Sequence, residues 1–356
     1  MLKRLSFRQI YLLLGVLLIA SVVASASIGA NMFTPAEMLR YIGEAFGWVP
    51  PAQSQSDDIY RNVFLLLRLP RVVMAGFTGA VLGVAGALMQ GLFRNPIVEP
   101  GLVGTSAGAA FGAAFFIVLG SRIFGGIVDH FGIIGEPILA FIFSFISTMI
   151  VYRLSASFGK VNVFTLLLAG IAMNAIAAAA TGFLSLIATD PQARDITFWE
   201  LGSFTTSEWH GTDFVAIVFI IVFPWALRHG KHLNALMLGE DEAAYLGINP
   251  ARLIMVLLVI NTIMVAVATA FVGVIAFIGL VIPHILRMLK SSDYTFLLPG
   301  SALLGAIAME VIDIVARIVI KPVEMPIGVI TAIVGAPVFI WILIMQQRKG
   351  AAGFYG

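Results

Sequence analysis

Stretches of about 20 mostly apolar residues recur along this chain, and each is long enough to cross a hydrocarbon core. Ten lie near residues 10–30, 71–93, 101–120, 135–154, 163–188, 212–229, 251–272, 274–292, 299–319 and 326–346, in a single domain taken as 1–356. Inside lipid every backbone N–H and C=O must be satisfied within the protein, and such runs are far too long for barrel strands. The expected class is an all-α integral membrane protein with ten transmembrane helices. The boundary near Gly273 is inferred from length alone, because residues 251–292 are almost continuously apolar.

Composition agrees. Only 11% of the residues are charged and 60% are hydrophobic, with a mean hydropathy of +1.01. A soluble domain carries roughly 25% charge, so membrane lipid is the expected surround. The absence of cysteine excludes disulfides, thiolate metal sites and cysteine nucleophiles. No basic arm or aromatic-basic patch suggests a nucleic acid. Lys3, Arg4 and Arg8 precede an apolar run that ends in "ASASIGA". That run exceeds the 7–15 residues of a signal-peptide core and is read as a retained first helix.

An even number of spans puts both termini on one side. If that side is the cytoplasm, the inner segments hold most of the 21 lysines and arginines: Lys3, Arg4, Arg8, Arg94, Arg153, Lys160, Arg228, Lys231, Arg252, Arg287, Lys290, Arg348 and Lys349. Such a bias marks the cytoplasmic face. Most acids fall outside, which makes Glu240, Asp241 and Glu242 stand out on the inside. Two outer segments are long enough to fold. Residues 31–67 suggest a short helix from Thr34 and then a polar loop, and residues 189–211 carry Trp199 and Trp209 as interfacial aromatics.

The inner acids belong to "LMLGEDEAAYLGINP" (236–250), read as a short, mostly polar surface helix over 236–247. Gly247 suits its C-cap, and Asn249-Pro250 a turn into the next span. It is either a solvated loop helix or a docking helix whose charge-rimmed Leu/Ala/Tyr face fits a soluble partner. Arg68 and Arg71 flank Pro70 at the outer end of a span, where they either snorkel to headgroups or meet an acidic partner. Gly76, Gly79, Gly83 and Gly86 make one smooth helical face; Gly101, Gly104, Gly108 and Gly112 are expected to repeat it on the next helix. Asp313 and Arg317 can pair at i,i+4, with Glu310 one turn deeper. His284 is a lone histidine on an apolar helix. Residues 71–188 and 251–346 each hold four spans, a faint inverted repeat.

No constellation supports catalysis. The chain contains no HExxH, GxSxG, intramembrane aspartate pair or phosphate loop. If transport is driven by ATP, hydrolysis belongs to another subunit.

Seven ordered blocks resemble one family closely: "RLPR" (68–71), "GALMQGLFRNPIVEPGLVGTSAGA" (86–109), "LGEDEAAYLGIN" (238–249), "FIGLVIPHILR" (277–287), "LLPGSALLGA" (297–306), "DIVAR" (313–317) and "EMPIGVITAIVGAPVFIWIL" (324–343). Over about residues 60–346 the chain resembles the FecCD-type permeases, membrane subunits of binding-protein-dependent ABC importers for iron chelates, haem and cobalamin. The resemblance implies the type II ABC importer permease fold with pseudo-repeated halves. It also implies a homodimer with its pathway on the two-fold axis, two cytoplasmic ABC ATPase subunits that consume ATP, a periplasmic substrate-binding protein and a bacterial inner-membrane location. No covalently bound cofactor and no metal site of the chain's own are implied.

By the same resemblance, Leu238, Gly239, Glu240, Asp241, Glu242, Ala243, Tyr245, Leu246 and Gly247 form the coupling helix that seats in the ATPase. Arg68, Arg71 and Arg317 receive acids of the binding protein, and the pathway is lined from 163–188, 326–346 and 101–120. Cargo is ranked from "ATDPQARDITFWELGSF" (188–204): haem first, then ferric siderophore, then cobalamin. Met89, Met173, Met264 and Met309 are assigned to packing. An ion-coupled secondary transporter working alone is the alternative from another class. It would want several mid-membrane carboxylates, and only Glu310 and Asp313 offer themselves.

Overall fold

Helices satisfy their own backbone, and the chain uses little else. The computed structural model describes residues 5–29, 31–50, 54–125, 134–157 and 160–352. Its helices are α1 (Phe7–Ser27), α2 (Pro35–Ala45), α3 (Gln55–Asn62), α4 (Leu69–Leu92), α5 (Thr105–Phe124), α6 (Gly135–Ser155), α7 (Val163–Ile187) and α8 (Asp190–Leu201). There follow α9 (Trp209–Arg228), α10 (Gly230–Leu238), α11 (Glu240–Tyr245), α12 (Pro250–Val272), α13 (Ile278–Leu289), α14 (Tyr294–Ile318) and α15 (Ile327–Ala352). A two-residue strand pair, Ala156–Ser157 with Lys160–Val161, closes the turn after α6.

Seven helical stretches among the described residues are long and apolar enough to cross a membrane: α1, the continuous run Gln55–Leu92, α6, α7, α9, α12 and α14. Shorter apolar segments in α5, α13 and α15 bring the total to the ten expected. Helix ends follow local chemistry. Thr34 and Glu37 form a capping box with Pro35 in the first turn of α2. Asn249 accepts from Arg252 N–H to start α12, and Gly247, at φ +82°, ends the element before it.

The architecture is built around α4. Its buried face meets α14 so closely that a Cβ on Gly79 would lie 2.2 Å from the Gly305 carbonyl, and one on Gly83 would lie 2.3 Å from that of Ser301. One on Gly86 would lie 1.8 Å from the Gly279 carbonyl at the start of α13. The glycine stripe is therefore a backbone-to-backbone seam, the kind of contact that drives association where lipid removes the hydrophobic force between helices. Met89, Met264 and Met309 are buried in this core. The helices α1, α6, α7 and α9 expose most of their surface outward.

Three expectations are corrected. The span placed at 274–292 is a 12-residue helix from Ile278, preceded by non-helical backbone over 273–277. Gly273, at φ +73°, packs so closely on the Trp199 carbonyl that a Cβ would lie 2.1 Å away. Because Val274, Ile275 and Ala276 are all apolar, hydropathy is blind to that break. The expected polar loop before 71–93 is largely helical: α3 runs through a π turn (Val63–Arg68) into α4. The wider turn accommodates Pro70, which lacks an N–H to donate back. Gly101 and Gly104 do not lie on α5. They belong to a 3₁₀ turn, Pro100–Val103, and its left-handed cap at φ +87°, while Gly108 and Gly112 do face α6. Trp209 is half-buried at the start of α9, its Nε1–H donating 2.9 Å to the Leu65 carbonyl.

Candidate functional site

Three places carry unusual chemistry: one at each end of α4 and one between them. At the end where α4 stops, α10 and α11 project from the body. The expected single helix over 236–247 is in fact two, broken at Gly239 (φ +143°, ψ 160°). Leu236 belongs to α10 and is buried in the core. The chain then turns at Gly239, where only glycine escapes the steric cost of that φ. Around it Ala243 is buried, whereas Leu238 (69%), Tyr245 (91%) and Leu246 (64%) are exposed. Asp241 and Glu242 are exposed beside them. An apolar tip with an acidic rim thus stands on a short polar helix.

This tip is braced. Asn234 Nδ2 donates to Asp293 Oδ1 at 2.7 Å, and Tyr294 N–H donates back to Asn234 Oδ1 at 2.9 Å, tying α10 to the start of α14. Partial burial alone would raise the Asp293 carboxyl, but the Asn234 amide and the Thr295 N–H and hydroxyl hold it below the usual carboxylate range. Arg94 Nη2 donates to Glu240 Oε1 at 3.1 Å, tying α11 to the loop after α4.

At the opposite end, about 36 Å away along a 24-residue helix, lie the three arginines singled out above. None snorkels. Asp313 is fully buried; one oxygen accepts from Arg71 Nε at 3.0 Å and Nη2 at 2.8 Å, and the other forms an ion pair with Arg317 Nη2 at 2.9 Å. Arg71 Nη1 also donates to Glu324 Oε2 at 2.7 Å. Arg317 donates to the Ser25 carbonyl at 2.9 Å, the Ile28 carbonyl at 2.6 Å and Ser25 Oγ at 2.7 Å. Arg68 reaches the same Ile28 carbonyl and, at 3.4 Å, that of Asn31. The three guanidiniums and one buried carboxylate therefore lock α1, α4 and α14 together. The Asp313–Arg317 pair was foreseeable from spacing; the Arg71–Asp313 pair, 242 residues apart, was not.

Between the two ends, a cavity of about 350 Å³ opens among α5, α7 and the segments 99–102 and 274–276. Its polar lining is Glu99, Ser106, Asn174, Thr181 and Glu200. Glu99 Oε1 accepts the Phe277 N–H at 2.8 Å, and Asn174 Nδ2 donates to the Gly101 carbonyl at 3.3 Å. Sequence reading passed over Glu99 and Asn174, although the Asn-Pro and Glu-Pro pairs flanking the turn marked it as irregular. Among the described residues no cluster of three or more His, Cys, Asp or Glu side chains is placed to hold a metal ion. His284 is buried on α13, away from this lining.

A helical membrane bundle with an irregular break at 273–277, an internal cavity and a braced surface element fits a transporter permease, and comparison places it. The sequence profile of the FecCD transport family matches residues 17–345, and the chain belongs to that family of ABC importer permeases. It is 38% identical over 342 residues to the hemin transport system permease HmuU of Yersinia pestis, covering 96% of this chain and 98% of that one. It is 37% identical over 337 residues to the vitamin B12 import permease BtuC of Salmonella typhi, covering 94% of each. Among solved structures, one described as an inward-facing metal-chelate type ABC transporter superposes with a TM-score of 0.80 at 30% identity, over 95% of this chain and 99% of that one. The chain is a multi-pass permease subunit with the type II importer fold.

Proposed function

We propose that this permease carries an intact iron chelate, haem in first place, from a periplasmic binding protein into the cytoplasm of a bacterium. In this reading two copies form a homodimer around the pathway, with both termini cytoplasmic. Two ABC ATPase subunits supply the work through α11. The observation that carries it is the tip of Leu238, Tyr245 and Leu246. Three large apolar side chains in water cost free energy, and an acid-rimmed exposed patch marks a protein contact. Bracing to α14 and to Arg94 lets force applied there enter the body.

Haem stands first because the hemin permease is 38% identical over nearly the whole chain. A corrinoid is the second reading, favoured by the 37% identity to the B12 permease. The described walls of the cavity carry no histidine or methionine, which suits cargo that passes as a finished chelate instead of exchanging its ligands. On the outer face we infer that acids of the binding protein reach Arg71 by displacing Glu324, whose side chain is 36% exposed. Arg68 and Arg317, held within, contribute positive field that speeds the encounter.

Vesicles holding the permease with its ATPase and binding protein test the cargo. Haem uptake that needs ATP and is not competed by cobalamin or a ferric siderophore is expected. Cobalamin uptake outrunning haem would transfer the assignment to the second reading, and uptake driven by a proton gradient alone would end both.

A further inference from the structure

Two strained backbone positions are informative. Among the described residues only Arg94 (φ +51°) and Phe277 (φ +69°) hold a positive φ without being glycine. Arg94 lies just past the Phe93 cap of α4, where Arg94 N–H bonds the Gly91 carbonyl at 3.2 Å and Asn95 N–H bonds that of Gln90 at 3.1 Å. Helices that end this way usually carry glycine there, since an L side chain is crowded in the left-handed region. Strain of this sort persists only where its surroundings over-determine it. The Arg94 side chain meets Glu240, the first residue of α11.

Phe277 stands at the far end of the same path. Five residues beyond Arg94, Glu99 accepts the Phe277 N–H. Phe277 in turn packs on α15, where a Cβ on Gly335 would lie 2.4 Å from its own Cβ. The segment between has further ties. The Pro100 carbonyl takes Asn261 Nδ2 of α12 at 3.5 Å, the Gly101 carbonyl takes Asn174 Nδ2 of α7, and the Pro100 ring presses on Gly279 of α13. A short stretch of irregular backbone thus holds the surface element at one end and the cavity wall at the other.

Resting on the functional reading above, we propose that Arg94 and Glu99 are positioning residues of the transport cycle. The Arg94–Glu240 pair passes displacement of α11 into the segment 94–101, and the Glu99–Phe277 bond passes it on to α13 and α15. A purely structural role would give a different result from coupling, because Arg94→Gly removes the strained side chain while keeping the cap.

The test uses the complete transporter in vesicles, reading cargo delivered per ATP hydrolysed together with the melting temperature. Arg94→Gly is expected to melt no lower than the unaltered protein, while its cargo-to-ATP ratio falls about five-fold or more. Glu99→Ala is expected to show a similar fall, and Glu99→Gln, which keeps an acceptor oxygen, to recover most of it. Arg94→Glu combined with Glu240→Arg is expected to restore what Arg94→Glu alone loses. An unchanged ratio in Arg94→Gly, or a fall seen only together with lost thermal stability, would overturn the proposal. An unaltered assembly that takes up cargo without ATP would instead defeat the functional reading, before any variant is compared.

Discussion

Asp313→Ala is expected to destabilise the permease by about 3–5 kcal/mol, the cost of breaking a buried ion pair by removing one partner. The side chain is fully buried and forms ion pairs with both Arg71 and Arg317, whose side chains are 11% and 3% exposed. Without it two guanidiniums remain near the membrane end of the bundle with only the half-exposed Glu324 as counter-charge. The effect should spread, because Arg317 also holds the Ser25 and Ile28 carbonyls at the end of α1. Loosening Arg317 frees α1 as well. Asp313→Asn keeps shape and acceptor but not charge, and should fall between. Replacing Arg71, Asp313 and Arg317 together by apolar residues of similar volume should recover part of the loss, since desolvation is then no longer uncompensated. Thermal melting in detergent measures all three. A melting temperature for Asp313→Ala equal to that of the unaltered protein would show that the cluster does not hold the helices together.

The second large effect is functional. Gly239→Pro is expected to reduce uptake to near background while the ATPase subunits continue to hydrolyse ATP. Proline fixes φ near −65°, which cannot replace the +143° that turns the chain between α10 and α11. Leu238 would then no longer stand beside Tyr245 and Leu246. Reversing the charges of Asp241 and Glu242, exposed at the rim of the same tip, should uncouple similarly. The ratio of transport to hydrolysis is the measurement, and normal ratios in both variants would remove the coupling role from this element.

The sequence signals that worked were local ones. Long apolar runs pointed to ten helical segments, Thr34 with Pro35 and Asn249 with Pro250 marked helix starts, and four-residue spacing found the Asp313–Arg317 pair. What stayed hidden had a physical reason each time. The break over 273–277 is written in apolar residues, and the polar side chain that satisfies Phe277 N–H, Glu99, comes from a segment 178 positions away. The turn at Gly239 looked like one glycine in a helical stretch. The Arg71–Asp313, Arg94–Glu240 and Glu99–Phe277 contacts join residues 242, 146 and 178 positions apart. No periodicity reaches that far. Arg68, Arg71 and Arg317 were legible as unusual charges near a membrane boundary, but their inward orientation was not, because the carbonyls of Ser25, Ile28 and Asn31 that bind two of them are invisible in side-chain identity.

The absence of native cysteine makes one measurement direct. Tyr245→Cys, at a position 91% exposed, gives the chain a single thiol at the tip of α11, ready for a short bifunctional cross-linker in the assembled, ATP-hydrolysing transporter. The thiol should join the ATPase subunit, and joining it should stop uptake. A thiol that stays fully accessible to a water-soluble reagent in the working complex, with no ATPase cross-link and undiminished transport, would contradict the central claim that ATP's work enters this protein through α11.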